Sequence, residues 1–318
     1  MIYIISKEEN GKTVKEILRF GIGLSLAFTK KLKFLDNGIM LNGQRVTVRA
    51  TVREGDVLSL ATEDLEPTDF LIPSDIPISV IFEDEGFILP NKPPFMPTHP
   101  SLNHRGDTLA DALAYKYSKE DSKFVFRAIS RLDRNTSGIL LIAKDRISAS
   151  KLSASMKNGE FEKKYITILN GIPESDHGII DTYIKRESES IIFRKVCGKD
   201  EGGSRAITEY TVLAKSDKYS LVLASPKTGK THQLRVHFAH IGAPILGDDL
   251  YGVASPLIDR HALHAYSLSF PHPKSAERIT FEAPLHDDMS TLIQELFPKF
   301  SLQTLQMQKN YKDKKYDF

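Results

Sequence analysis

Residues Arg127–Asp145, RAISRLDRNTSGILLIAKD, constrain this chain more than any other stretch. Ala128 and Ile129 suggest a short strand, and a knot of charge follows, Arg131-Leu132-Asp133-Arg134. Thr136-Ser137-Gly138 then reads as a turn, and Gly138 to Ala143 as a buried strand. One carboxylate, Asp133, is therefore expected between two guanidinium groups on a loop at the end of a sheet. Loops carried on rigid scaffolds are where chemistry concentrates. A generic Arg-x-Asp-Arg can also be no more than a turn with surface ion pairs.

Charge divides the chain. Residues 1–60 hold ten Lys or Arg against six Asp or Glu, a surplus of four. Residues 61–85 hold eight acids and no base, with Pro67, Pro73 and Pro77 among them. That shift marks a linker between a small basic module and a larger domain. The expected division is a module over 1–62, an acidic linker over 63–77, a main domain over 78–300 and a Gln- and Lys-rich tail over 301–318. A length of 318 residues fits roughly two domains of ~100–200 residues. No apolar stretch approaches the ~18–20 residues needed to cross a bilayer, and MIYIISKEENGK lacks the apolar core of a signal peptide. The single Cys197 rules out an internal disulfide framework and fits a reducing cytoplasm, the expected location.

In the module, helix-period apolar residues run over Thr13–Phe20 and Ser25–Phe34, with Lys30, Lys31 and Lys33 clustered on the second helix. Ile39–Leu41, an Asn42-Gly43 turn, Arg45, Val46 and Val48 read as a hairpin, and Val57–Leu60 as a further strand. In the main domain, strands are expected at Ile78–Phe82, Phe87–Leu89, Lys163–Leu169, Gly178–Ile184, Ile191–Val196, Ala206–Leu213, Tyr219–Ala224, Ala262–Phe270 and Arg278–Glu282. Helices are expected at Thr108–Tyr117, Ile147–Asn158, His232–Ile241 and Asp288–Phe297. Many strands on short turns with few helices between them predict an α+β fold with a largely antiparallel mixed sheet.

At full length the 127–145 segment resembles the signature of the RluA family of RNA pseudouridine synthases, HRLDRDTSG followed by an apolar strand. Ser130 stands where His is usual, and Asn135 where the second Asp is usual. Three further segments resemble the family in the same order. Asn91-Lys92-Pro93 with Thr98-His99-Pro100-Ser101 is similar to its NKPxG…HPS stretch, with Phe95 in place of Gly. Phe161–Tyr165 is similar to its KxY motif, and Thr228–Gly247 to GRTHQIRxHxxxxGxPIxGD, with Lys230 in place of Arg. The module resembles the small RNA-binding domain named after ribosomal protein S-four, which many members carry at this end.

The resemblance implies catalysis by Asp133, a stacking ring from Tyr165 and an ion pair from Arg235 to Asp133. It further implies substrate contacts from Arg131, Lys230, His232 and Leu234, and RNA contacts from Lys30, Lys31, Lys33 and Arg45. Arg131 would fill the space left by a flipped base. The reaction detaches uracil N1 from ribose and rejoins the base through C5, without redox change, so neither cofactor nor metal is implied. An ionised Asp133 would act on the ribose, by attack or by proton removal, and Arg235 would favour that form. The implied partner is structured RNA, large-subunit ribosomal RNA before transfer RNA, bound by a monomer with no membrane involvement.

Competing readings remain for single residues. Tyr165 in a strand is also an ordinary half-buried packing ring, and Arg235 on an amphipathic helix an ordinary snorkelling cation. His232, His237 and His240 fall near helical spacing, but without cysteines or HExxH no zinc site is expected. Asp248 and Asp249 read as a turn. Ala224–Thr231 ends in the GKT of a phosphate-binding loop after a strand, yet Ala224 replaces the first Gly and Pro226 removes an N–H from the cradle. A glycosidase generally needs two carboxylates across the bond, and no clear second one is evident. An inactive RNA-binding homologue is the remaining reading.

Overall fold

The computed structural model describes residues 1–24, 26–61, 71–120, 124–190 and 192–301. Residues 63–70 of the expected linker and 302–318 of the expected tail lie outside the described residues, as does Ile191.

The N-terminal part comprises β1 (Ile2–Ile4), α1 (Val14–Glu16), which runs on as a wider turn over Ile17–Gly21, α2 (Leu26–Phe34), β2 (Ile39–Leu41), β3 (Gln44–Arg45) and β4 (Val57–Leu60). Thr13 starts α1 through a reciprocal cap with Glu16, whose carboxylate accepts from the Thr13 N–H at 2.8 Å. The four strands pair antiparallel in the order β1-β4-β2-β3. Asn42 and Gly43 both adopt positive φ, 51° and 79°, which the tight turn between β2 and β3 requires.

The returning hairpin strand is shorter than its β-branched residues suggest. Its ladder ends at Arg45, and the chain turns toward α1, where Val48 and Ala50 carbonyls accept from Lys15 and Val14. Val48 and Val52 are buried beneath that helix with Val14, Leu18, Leu32 and Leu58, so burial overrides pairing. Ile147 from the main part joins this same apolar cluster.

The main part continues with β5 (Ser79–Glu83), β6 (Phe87–Lys92), α3 (Leu109–Ser118), β7 (Ser137–Ile139), β8 (Ile142–Ala143), α4 (Arg146–Lys157) and β9 (Glu162–Asn170). Then come β10 (His177–Arg186), β11 (Arg194–Cys197), β12 (Ser204–Lys215), β13 (Tyr219–Pro226), α5 (Gln233–His240), β14 (Leu263–Pro271), β15 (Arg278–Glu282) and α6 (Asp287–Leu296). Among the described residues, eleven strands form one sheet in the order β11-β10-β12-β13-β9-β14-β7-β6-β5, with β15 beside β14 and β8 beside β6. Its strand pairs are antiparallel except β14 with β7, as the α+β reading expects.

Two differences concern the signature. Ala128 makes only an isolated bridge to Ile142, and the expected strand from Gly138 to Ala143 is split into β7 and β8. Opposite the split lies Pro90, which accepts from Leu140 at 3.2 Å but has no N–H to return. The parallel junction of β7 with β14 depends on Gly138, with φ 113°. A Cβ there would lie 2.2 Å from the Ala265 carbonyl oxygen, so no larger residue fits five positions beyond Asp133.

Apolar side chains gather in two main cores. One contains Phe87, Leu113, Leu141 and Phe270, and the other Ile166, Leu221, Phe238 and Leu292. Tyr165 packs against both. The strand that carries it thus delivers an aromatic ring to the seam between them.

Candidate active site

The loop between Ile129 and β7 is tied down from both sides. Thr98 Oγ1 donates to the Leu132 carbonyl at 3.0 Å, and Lys92 Nζ to the Arg134 carbonyl at 3.1 Å. From β14 and its approach, Arg260 donates to the Asn135 carbonyl and to Ser137 Oγ at 3.1 and 3.2 Å. Thr136 meets His261 at 2.8 Å, and Ser137 meets His264 at 2.9 Å. The backbone on either side of Asp133 is therefore anchored, while its own carboxylate accepts no hydrogen bond among the described residues.

These supports are buried. Lys92 and Arg260 are 0% and 1% exposed, and each has its donors matched by acceptors. Lys92 Nζ also donates to Pro93 and Met96 carbonyls at 2.8 Å, and Arg260 forms a two-point pair with Asp288 at 2.6 and 3.0 Å. Burial pushes the Lys92 ammonium down to about 7, while three carbonyl acceptors match its charged form. Burial likewise pushes the His261 and His264 imidazoles down to about 3, so both are neutral partners at pH 7.

Asp133 meets its basic neighbours across the pocket. Local sequence places it between Arg131 and Arg134, but its basic groups within 4 Å among the described residues are His232 Nε2 and Arg235 Nη1, both at 3.8 Å, and Arg235 is the partner that the family resemblance implies. Arg134 is exposed and donates from Nε to the Phe95 carbonyl at 3.2 Å, and Arg131 is exposed on the pocket lining. Side chains of adjacent residues diverge, so neighbours in sequence are poorly placed to clamp the carboxylate between them.

Arg235 lies on α5, 8% exposed at its side chain, and its hydrogen bonds go elsewhere. Nε and Nη2 each donate to Asp248 at 2.7 Å. Burial pushes the Asp248 carboxyl up, but the hydrogen bonds and charge of Arg235 outweigh it and hold the group below the usual carboxylate value. Asp248 Oδ1 also accepts from the Leu250 and Tyr251 N–H groups at 3.1 Å, so the turn that its sequence suggests exists and additionally fixes Arg235. His232 begins α5 in left-handed conformation, φ 59°, and its Nδ1 meets the Tyr251 hydroxyl at 2.8 Å. Burial lowers its imidazole, against the raising effect of Asp133.

A cavity of about 630 Å³ gathers Arg131, Asp133, Tyr165, Lys230, His232, Leu234 and Arg235, together with Ser130. Among the described residues its lining holds six Lys or Arg, namely Arg131, Lys157, Lys163, Lys227, Lys230 and Arg235, and one carboxylate, Asp133. Tyr165 is half-buried here, and burial together with the Asp133 charge pushes its phenol up, so the ring is neutral. Lys163 and Arg260 have no role in the sequence reading, and Asp248 has one only as a turn residue. Lys163 carries a signal, standing two residues before Tyr165 in the KxY segment.

The phosphate-loop reading fails on geometry. β13 lies between antiparallel neighbours β12 and β9, and the Lys230 N–H that would face an anion donates to Gln233 Oε1 at 3.0 Å. His237 is occupied by Thr208 and Thr182 at 2.9 and 3.1 Å. Lys30, Lys31, Lys33 and Arg45 lie outside the cavity, all exposed on the N-terminal part, and Arg45 is 3.6 Å from Asp36.

The family profile described as RNA pseudouridylate synthase matches residues 86–240. An uncharacterised RNA pseudouridine synthase of Bacillus subtilis is 36% identical over 281 residues, covering 88% of this chain and 98% of the relative. The chain belongs to the RluA family of RNA pseudouridine synthases. It is an isomerase acting on RNA. The ribosomal large subunit pseudouridine synthase D of Borreliella burgdorferi is 34% identical over 231 residues, 70% of each chain. Among solved structures, human RNA pseudouridylate synthase domain containing 4 shares the fold at a TM-score of 0.57 and 22% identity, over 68% of this chain and 92% of the other. Domain containing 1 matches at 0.54 and 26%, over 73% and 97%. Among the described residues, no helix is long and apolar enough to cross a membrane.

Proposed function

We propose that this pseudouridine synthase modifies uridines in large-subunit ribosomal RNA, with Asp133 as its catalytic residue. One observation carries the catalytic assignment: among the described residues, Asp133 is the single carboxylate in a pocket lined by six cations. A polyanion is drawn to such a lining, and a glycosidase's usual second carboxylate across the bond is missing from it. The ribosomal target is supported by relatives named for the large subunit at 34% identity.

In this reading the flipped uridine enters the cavity with its ribose against Asp133. The bond from C1′ to N1 breaks, the base turns, C5 joins C1′, and the proton lost from C5 is balanced by one gained at N1. Asp133 starts the sequence by attacking the sugar or by removing a ribose proton. Among the described residues the carboxylate accepts no hydrogen bond and sits 3.8 Å from Arg235, which leaves an oxygen available for either. Tyr165, neutral, stacks on the detached base. Arg131 fills the vacated stack, and Lys230, His232 and Leu234 line the bound nucleotide.

Unstacking the target costs a few kcal/mol. The exposed Lys30, Lys31 and Lys33 of α2, with Arg45, offset it through phosphate contacts. The N-terminal part, with its own apolar core, acts as the RNA-binding domain of S-four type. The proposed working unit is a monomer, and the lone cysteine suits a reducing cytoplasm.

The deciding test is pseudouridine mapping of ribosomal RNA from cells with the gene, without it, and with it restored as Asp133→Asn. Large-subunit sites should vanish on deletion and return with wild type only. Loss confined to transfer RNA would reassign the target.

A further inference from the structure

We propose that Phe95 is a stacking platform for an unpaired RNA base beside the target uridine, outside the catalytic cavity. The proposal rests on the RNA-modifying activity of the family, not on which RNA is modified. Phe95 has φ 63°, the left-handed region that a bulky L-residue adopts only under strain. Such strain persists where the surroundings over-determine it and concentrates at sites of function.

Here the surroundings are explicit. Lys92 Nζ grips the carbonyls on both sides, Pro93 and Met96, at 2.8 Å, and links them to Arg134. Thr98 joins the same loop to Leu132 at 3.0 Å, and Arg134 Nε donates to the Phe95 carbonyl itself. Met96 turns inward, 7% exposed, while Phe95 turns outward, 46% exposed. A strained backbone thus holds a large ring in water, in fixed register with the residues on either side of Asp133. Folding alone gains little from that arrangement.

The neighbour identifies the partner. Arg134 is exposed, and its guanidinium is fixed to the Phe95 backbone. An exposed ring on a loop whose backbone holds a cation suits single-stranded nucleic acid, base on ring and phosphate on cation. Phe95 does not line the cavity that takes the target. Its base is therefore a neighbour of the flipped uridine, which makes Phe95 a determinant of which unpaired sequences bind well.

The test compares Phe95→Gly, Phe95→Leu and Phe95→Trp in the full chain, by thermal melting, by kinetics on unmodified large-subunit RNA transcript, and by affinity for a short single-stranded RNA. Phe95→Gly should melt no lower than wild type, because strain is relieved, while its KM and its dissociation constant rise about tenfold, the size of one missing stack. Its kcat should stay near wild type. Phe95→Leu should resemble Phe95→Gly in binding, and Phe95→Trp should retain wild-type affinity. Wild-type KM and affinity in Phe95→Gly overturn the proposal, as does full binding by Phe95→Leu, which has no ring. Lower melting of Phe95→Gly also overturns it, because the ring would then be serving the fold. If the transcript is not a substrate even for wild type, the ribosomal target fails instead, and short-RNA affinity still decides the role of Phe95.

Discussion

Arg235 donates from Nε and Nη2 to both oxygens of Asp248 at 2.7 Å, and only its remaining nitrogen, Nη1, faces Asp133 at 3.8 Å. The cation opposite the proposed catalytic carboxylate is thus positioned by a second carboxylate that is fully buried. Two-point pairing sets the plane of a guanidinium as well as its place. Asp248→Ala should leave that buried cation without its hydrogen-bonded partner, costing about 3–5 kcal/mol of stability. Asp248→Asn should fold but let the guanidinium shift, lowering kcat about a hundredfold with little change in RNA affinity, as for an ~1 Å misplacement. Wild-type kcat in Asp248→Asn refutes the positioning role.

Asp133→Asn should abolish pseudouridine formation with folding and RNA affinity nearly intact. Its carboxylate supports no hydrogen bond of the fold among the described residues, so the amide replaces it without structural loss. Turnover should fall by at least the ~10²–10⁴-fold typical of catalytic groups. Residual activity above about one per cent would remove Asp133 from the centre of the reaction.

The signature loop and the α+β class are legible in the sequence because each is local: a short motif, and alternating apolar residues between turns. Partners distant in sequence are not legible from local pattern, and the one distant pair expected, Arg235 with Asp133, comes from the family resemblance. Asp248 reads as a turn residue, and it is one, but its pairing with Arg235 exists only after the turn closes back on α5. Arg260 gives no periodic or motif signal, yet it holds Asn135, Ser137 and Asp288 together once β14 lies beside β7. The flanking arginines mislead because adjacency along the chain is not adjacency in space. The split of β7 from β8 depends on Pro90 sitting opposite, which only the sheet register reveals.

Tyr165 contacts both main cores as well as the cavity, so its two substitutions should separate packing from chemistry. Tyr165→Phe keeps the ring and should bind RNA like wild type while slowing a step after base detachment. Tyr165→Ala should also weaken binding by about 1–3 kcal/mol, one base stack, and lower the melting temperature. Single-turnover kinetics alongside equilibrium binding would distinguish them. Identical, wild-type kinetics in both would return Tyr165 to a packing role.

Stability should fall as the solution is acidified below the ordinary histidine range. Burial holds His237 at about 4 and His261 and His264 at about 3 in the folded chain. Between those values and ~6.5 the unfolded chain binds protons that the folded chain does not, so unfolding free energy decreases as pH falls. At pH 5 each contributes a loss on the order of 2 kcal/mol. Urea unfolding at pH 7 and pH 5 measures the difference. His261→Gln, which can still meet Thr136, should flatten the dependence, and an unchanged midpoint in wild type would show that these imidazoles protonate freely.

Replacing Lys30, Lys31 and Lys33 together by Ala should weaken RNA binding in a way that salt reveals. All three are exposed on α2, away from the catalytic cavity, and none is needed by the apolar core of the N-terminal part. Melting should therefore be unchanged. Each phosphate that is no longer neutralised takes about 0.7–0.9 off the slope of log affinity against log salt. Freeing three phosphates should flatten it by roughly two to three units. The kcat on a saturating RNA should stay at the wild-type value, because Asp133, Tyr165 and Arg235 are untouched. A variant that binds with the wild-type slope would mean that these lysines face water in the complex. RNA would then be held by the cavity rim alone, with Lys157, Lys163, Lys227 and Lys230 as its phosphate contacts, and the N-terminal part would serve the fold through Ile147 rather than the substrate.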